Sequence, residues 1–257
     1  MLIESAFFKL SDYFQYYFQS IESPGELYES QVSFIFAVAI FQELQSRGFP
    51  FLLPYIQMNR PYPQRDQKVD VYLKIPKSKL PAEILHRWAN SGVCEENWIE
   101  IKFFGGAERK ESSEPKTTNL GKVLEDLLRL KFYVREGGKY SLLVFNRKPE
   151  YYLPFSDRKY LFTLLKQGRD SVKINFMEEP ETVIKSFSKD LRELVINKEV
   201  ELDLQKYSIE PLVVKGLIIP SDSGVLRKSK RGRLPVSEPT YYFYLLRILE
   251  TYEKEVE

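Results

Sequence analysis

The stretch Trp98-Ile99-Glu100-Ile101-Lys102-Phe103-Phe104 decides the fold. Its residues alternate with a period of two, which predicts a half-buried β-strand with Ile99, Ile101 and Phe103 on one face. Glu100 and Lys102 share the other face, flanked by Trp98 and Phe104, about 7 Å apart at the rise of a strand. A carboxylate and an ammonium so placed can hold a divalent cation and a water beside a phosphate. Acid-x-Lys triplets also begin at Asp66, Glu108, Glu114 and Asp157, but in polar or proline-containing stretches, where a solvated loop is expected. Only the Glu100 triplet is embedded in strict apolar alternation. Taken alone, it fits a weak surface ion pair better than a catalytic pair.

Two more carboxylates sit in comparable positions. In Lys68-Val69-Asp70-Val71-Tyr72-Leu73-Lys74, Val69, Val71 and Leu73 form one face and Asp70, Tyr72 and Lys74 the other. An acid inside a strand needs a partner, a solvent-facing position or a job. If the two strands pair, Asp70 and Glu100 lie side by side, and a divalent metal between them removes their repulsion. Hard oxygen ligands suit Mg²⁺ or Mn²⁺. The third acid is Glu29. Ser23, Pro24 and Glu26 read as the N-cap, first position and capping-box acid of a helix running from Leu27 to about Leu44 and ended by Gly48 and Pro50. Glu29 shares a face of that helix with Val32, Phe36 and Ile40, which points it at the edge of the core. It fits either a first-turn acid favoured by the helix dipole or a metal- or water-holding group.

The series continues with a helix from Asn119 to about Glu136, closed by Gly137-Gly138, and an apolar strand from Tyr140 to Phe145. This order of elements and acids resembles the PD-(D/E)XK nuclease superfamily, to which restriction endonucleases and several repair nucleases belong. The resemblance covers roughly residues 23–146. Two features depart from the usual pattern. Val69 stands where a proline often precedes the first aspartate, and Pro76 to Gly92, with a short helix over Pro81–Trp88, lengthens the gap between Asp70 and Glu100.

The resemblance implies an α/β fold. A restriction-endonuclease-like core, a central mixed sheet flanked by helices, would occupy residues 1–150. A C-terminal α+β region, residues 151–257, would serve DNA recognition or dimerisation. Asp70, Glu100 and the carbonyl of Ile101 would bind Mg²⁺, with Mn²⁺ as a substitute. Lys102 would position or activate a water and neutralise phosphate charge, and Glu29 would hold a second metal or an outer-shell water. The implied function is a Mg²⁺-dependent endonuclease acting on DNA, of the restriction type and working as a homodimer. The alternatives are a non-cleaving nucleic-acid-binding or assembly protein on the same fold, or a repair or junction-resolving nuclease.

Bulk features narrow the field. The 257 residues suffice for one domain with an appendage or two small domains, and a net charge of +2 excludes a general polycation. Basic character concentrates in Arg227, Lys228, Lys230, Arg231 and Arg233, which fit either a phosphate-gripping loop or an ordinary solvated one. Cys94 is the only cysteine and His86 the only histidine, so disulfides, thiolate zinc and histidine-rich metal sites are excluded. His86 is expected on a helix surface. The apolar run Val32–Phe41 is too short to span a bilayer, and with no signal peptide visible a cytoplasmic location is expected.

Aromatic clusters at Tyr13–Phe18 and Tyr241–Tyr244 are expected to pack in a core or an interface, against each other or across a dimer. Past residue 150 the pattern predicts a helix over Asp157–Leu165, a strand over Ser171–Met177 and an amphipathic helix from Pro180 to about Ile196. Strands follow over Val200–Tyr207 and Leu212–Ile219, and Thr240–Glu253 fits either a helix or a last strand.

Overall fold

The alternating segments of this chain converge on a single sheet. A computed structural model describes residues 1–20, 27–90, 94–105, 115–154, 161, 165, 170–176, 179, 181–198, 200–214 and 239–249. Helices α1 (Leu2–Phe8), α2 (Leu10–Ser20) and α3 (Glu29–Ser46) come first, followed by strands β1 (Ile56–Pro61) and β2 (Lys68–Lys74) and helix α4 (Ala82–Asn90). Then come β3 (Glu96–Phe104), α5 (Lys116–Tyr133), β4 (Gly138–Phe145) and β5 (Ser171–Asn175). Helices α6 (Glu181–Ile184) and α7 (Lys189–Asn197) precede β6 (Glu201–Ser208), β7 (Leu212–Val213) and β8 (Thr240–Leu249).

The eight-stranded sheet has the order β1-β2-β3-β4-β8-β6-β5, with β7 paired to β8 off this path. It is mixed but mostly antiparallel: among the described strands only β3 and β4 run parallel, joined through α5 as a parallel pair requires. Segments on both sides of residue 150 contribute strands, since β8 hydrogen-bonds directly to β4. Helices cover both faces. Leu2, Phe7, Phe14, Val32, Phe36 and Ile40 of the first three helices pack on Ile99, Ile101 and Phe103. Val123, Leu127 and Leu130 of α5, with Val183 and Leu191 beyond, pack on Trp98, Phe104, Leu143 and Leu246. The two faces of the Glu100 strand thus face two separate cores, the arrangement its alternation demands.

The two terminal aromatic clusters do meet: the Phe14 ring lies 4.9 Å from that of Phe243, and Phe18 5.3 Å from Tyr241, centroid to centroid. They seal α2 onto β8. His86 is exposed on α4, as expected. Gly137 ends the approach to β4 at φ +113°, and a Cβ there would stand 2.5 Å from the carbonyl oxygen of Glu96 on β3, so only glycine lets the two strands close.

Several expectations need correction. Helix α3 begins at Glu29 rather than Leu27; the Tyr28 amide donates to Gln31 Oε1 at 2.7 Å and caps it. The cap proposed at Ser23, Pro24 and Glu26 lies outside the described residues. The single helix expected over Pro180–Ile196 is two, because a turn at Lys185–Phe187 breaks it and Glu125 of α5 accepts the Ser188 amide at 3.1 Å. Thr240–Leu249 takes the second of its two expected forms, a strand whose alternate residues face opposite cores. Of the expected Leu212–Ile219 strand, Leu212–Val213 pairs with β8, and residues 215–219 lie outside the described residues. Most of Asp157–Leu165 also lies outside the described residues, although Leu161 and Leu165 are buried.

Candidate active site

Strand register explains how the acids meet. β2 and β3 pair antiparallel from Lys74↔Glu96 up to Val71↔Ile99, and there the ladder stops. Extending the register by one step would place Asp70 opposite Glu100. Instead Asp70 Oδ2 accepts the backbone amide of Ile101 at 2.6 Å, taking the place of the missing strand bond. Glu29 reaches the same strand from the head of α3, where its Oε2 accepts the Phe103 amide at 3.0 Å. Alternate amides of a strand point to the same edge, so Asp70 and Glu29 line one notch where β2 leaves β3. The Ile101 carbonyl faces that edge by the same geometry.

Glu100 and Lys102 occupy the face covered by α5. Lys102 Nζ lies 3.8 Å from Glu29 Oε1 and 3.2 Å from Asp126 Oδ2. Glu100 is 3% exposed; its Oε1 accepts the Tyr62 hydroxyl at 2.5 Å and lies 3.8 Å from the Arg129 guanidinium. Arg129 in turn bonds Asp126 Oδ1. The four side chains singled out in the sequence, Glu29, Asp70, Glu100 and Lys102, are therefore brought together. Three more complete the cluster: Tyr62, just beyond β1, and Asp126 and Arg129 on α5. The basic run Arg227, Lys228, Lys230, Arg231 and Arg233 lies outside the described residues.

Asp126 was legible in principle. It stands three residues after Val123 and four before Leu130, on the buried stripe of α5, where a carboxylate calls for an explanation. Arg129 follows at i+3, within ion-pair reach. Tyr62 had no such signal, being an ordinary tyrosine between Pro61 and Pro63.

The electrostatics are those of crowded acids. Burial raises the pKa of Asp70 to about 6, with the Ile101 amide opposing and Glu29 adding to the rise. Burial, then Asp126 and Asp70, push the Glu100 carboxyl well above the usual range, against the pull of Arg129 and Tyr62. Burial pulls the Lys102 amine down, but Asp126, Glu29, Asp70 and Glu100 more than offset it and hold it as an ammonium. Lys102 is thus a positioned cation, able to draw in and neutralise an anionic oxygen, rather than a proton acceptor at neutral pH.

Do these residues suit a divalent metal? In kind they do. Every anionic donor is a hard oxygen, and four carboxylates against two cations leave a formal charge of −2 when all are ionised. Asp126 Oδ2 is buried against the Lys102 ammonium at 3.2 Å, and burial first, then the neighbouring acids, raises the pKa values of Asp70 and Glu100, a cost that a cation would relieve. In placement they do not stand ready: no group of three or more Asp, Glu, His or Cys side chains among the described residues could hold a metal as it stands. Each acid is held by an internal donor, which a cation would have to replace or share. Among the described residues no helix is long and apolar enough to cross a membrane. No family model, curated protein or solved structure matches this chain.

Proposed function

We propose that this chain is a Mg²⁺-dependent endonuclease hydrolysing DNA phosphodiester bonds on a restriction-endonuclease-like core of the PD-(D/E)XK type. The observation that carries the reading is the convergence of Glu29, Asp70, Glu100 and Lys102, from one helix and two strands, at a single break in the β2–β3 ladder. A stability requirement does not explain that convergence. Surplus buried carboxylates beside one another cost folding energy, whereas cation and phosphate chemistry needs them.

In this reading Asp70, Glu100 and the Ile101 carbonyl would hold Mg²⁺, with Mn²⁺ able to substitute, and Glu29 would hold an outer water or a second ion. Such an ion, when bound, would supply Lewis-acid polarisation of the phosphate and an acidified water. Lys102, kept charged by Asp126 and Glu29, meets the phosphate oxygens and offsets the charge that builds on them. Two copies related by a two-fold axis would present one such site to each strand of a duplex.

The test is cleavage of supercoiled plasmid by purified protein with Mg²⁺ or Mn²⁺, with EDTA, and with Asp70→Ala. Nicking that requires the metal and Asp70 supports the reading; intact plasmid across salt and metal conditions overturns it. One observation favours a second reading, a nucleic-acid-binding or assembly protein on the same core without cleavage: every acid of the cluster already has an internal donor. Retarded plasmid that is never nicked is the outcome that reading expects.

A further inference from the structure

We infer that the cleft bounded by β6, β8 and the end of β4 is a nucleotide subsite, with a base inside it and the attached phosphate at its mouth, an inference that rests on the nucleic-acid part of the reading above and needs no metal. The cleft has a volume of about 550 Å³, within the range of small-ligand sites. Its wall is the sheet face that α5 covers. Along β6, Leu202 and Leu204 pack into that core, and the next two residues of the same face are Lys206 and Ser208. Beside them on β8, Leu246 gives way to Tyr244 and Tyr242. The apolar core thus ends in a wall of two phenols, a hydroxyl and an amine.

The groups inside match a base. Lys206 is 6% exposed; burial lowers the pKa of its amine, and the Asp170 charge opposes that shift. Glu150 Oε2 is buried and has no hydrogen-bond partner among the described residues. Burial, then Glu150, raise the pKa of Tyr244 to about 12, so its hydroxyl stays a donor. A carboxylate oxygen only accepts, and a buried one without a donor costs stability until a ligand supplies the donor. The amino group of a base suits Glu150, its ring nitrogen or carbonyl oxygen suits Lys206, and its face suits Tyr242 or Tyr244.

Phosphate belongs at the mouth. Glu150, Asp170 and Glu210 line the cleft and keep an anion out of its depth. Around the single-turn helix Pro149–Tyr151 the charge is reversed. Lys148 is exposed at the lip, Lys116 Nζ donates to the Glu150 carbonyl at 2.7 Å, and the Arg147 guanidinium lies 4.7 Å from the Tyr151 ring centroid. This lip adjoins the candidate active site. β3 and β4 run parallel as far as Phe104↔Phe145, and the Asn146 amide donates to the Phe104 carbonyl at 3.0 Å. Arg147 therefore begins where the strand carrying Glu100 and Lys102 ends. β8 lies two strands from β3, roughly 10 Å, so one nucleic-acid strand can reach both places.

The experiment is binding of the 5′-monophosphates of deoxyadenosine, deoxyguanosine, deoxycytidine and thymidine, and of the matching nucleosides, to the purified full chain in EDTA, read by calorimetry or ligand-observed nuclear magnetic resonance. Wild type is compared with Lys148→Ala, Glu150→Gln and Tyr242→Ala, with a thermal melt of each to confirm folding. Wild type should prefer monophosphates to nucleosides, and thymidine monophosphate should bind weakest, because thymine has no amino group for Glu150. Lys148→Ala should remove most of the preference for monophosphate. Glu150→Gln should bring thymidine monophosphate level with the others, since an amide also donates to a carbonyl. Tyr242→Ala should weaken all four about tenfold. Competition by a single-stranded oligonucleotide assigns the cleft to an unstacked base of a strand, and its absence to a free nucleotide. Wild type that takes up no monophosphate, or uptake that all three variants leave within twofold and in the same order of bases, overturns the inference. Plasmid nicking in Mg²⁺ is scored separately: nicking by protein that fails this test leaves the nuclease reading standing, and uptake without nicking keeps the subsite and overturns cleavage.

Discussion

Replacing Asp70 by asparagine separates the cost of this site from its use. The Asp70 carboxyl has an ordinary pKa of 3.8 that rises to about 6 in the folded protein, chiefly through burial. A shift of about 2 pH units at 1.36 kcal/mol each corresponds to roughly 3 kcal/mol, and about 2 kcal/mol after discounting for the half-buried position of the side chain. The sign follows from linkage: the folded state binds the proton more tightly than the unfolded one. The group therefore contributes its full stability below about pH 3.8 and loses it as the pH rises through about 6. Asparagine keeps an oxygen for the Ile101 amide and carries no charge. In EDTA at pH 8, Asp70→Asn should therefore be more stable than wild type by about 2 kcal/mol, and at pH 4 the difference should shrink to a few tenths. Urea titrations followed by tryptophan fluorescence measure both, since Trp98 is buried beside the site. Mg²⁺ should then reverse the order at pH 8, by stabilising wild type and not the variant. If Asp70→Asn is destabilised equally at both pH values, Asp70 is a plain structural acceptor and the argument from crowded acids fails.

Other expectations are more direct. Lys102→Ala should abolish plasmid nicking while leaving Mn²⁺ uptake within a few fold, because the amine serves the phosphate rather than the ion; retained nicking would refute that division of labour. Arg129→Met leaves the buried Asp126 carboxylate, whose side chain is 2% exposed, with Lys102 as its remaining charged partner and should cost about 3 kcal/mol in chemical denaturation. A loss below about 1 kcal/mol would mean that Asp126 is neutral or rehydrated. Phe14→Ala removes the ring that joins α2 to Tyr241 and Phe243 and should cost about 3–5 kcal/mol, seen as a lowered unfolding midpoint with unchanged metal affinity. Gly137→Ala, forced to φ +113° with the Glu96 carbonyl in the way, should unfold several degrees earlier or fail to accumulate, which a thermal melt would record.

The elements were largely readable because their period was local. β2, β3, β4 and α5 follow from alternation and 3.6-residue spacing alone, and the exposed face of α4 with it. The failures are equally instructive. The break between α6 and α7 depends on Glu125, on a different helix, capturing the Ser188 amide, which no local pattern records. Thr240–Leu249 is not a failure but a choice left open: it fits two periods, and strand, one of the two expected forms, is selected by β4 and β6 on either side of it.

The chain's own order of residues determined which side chains stand on each strand face, and so that Glu100 and Lys102 point one way and Ile99, Ile101 and Phe103 the other. That follows from backbone geometry with no reference to neighbours. Where those side chains end up, and beside what, was decided only in three dimensions. The ladder stops at Val71↔Ile99, two amides are left open, and acids separated from them by 31 and 74 residues fill the gap. Tyr62 and Arg129 join Glu100 because a hairpin and a helix happen to meet over it. Local conformation is set by interactions within a few residues, whereas a cluster of charges is the product of packing between distant ones.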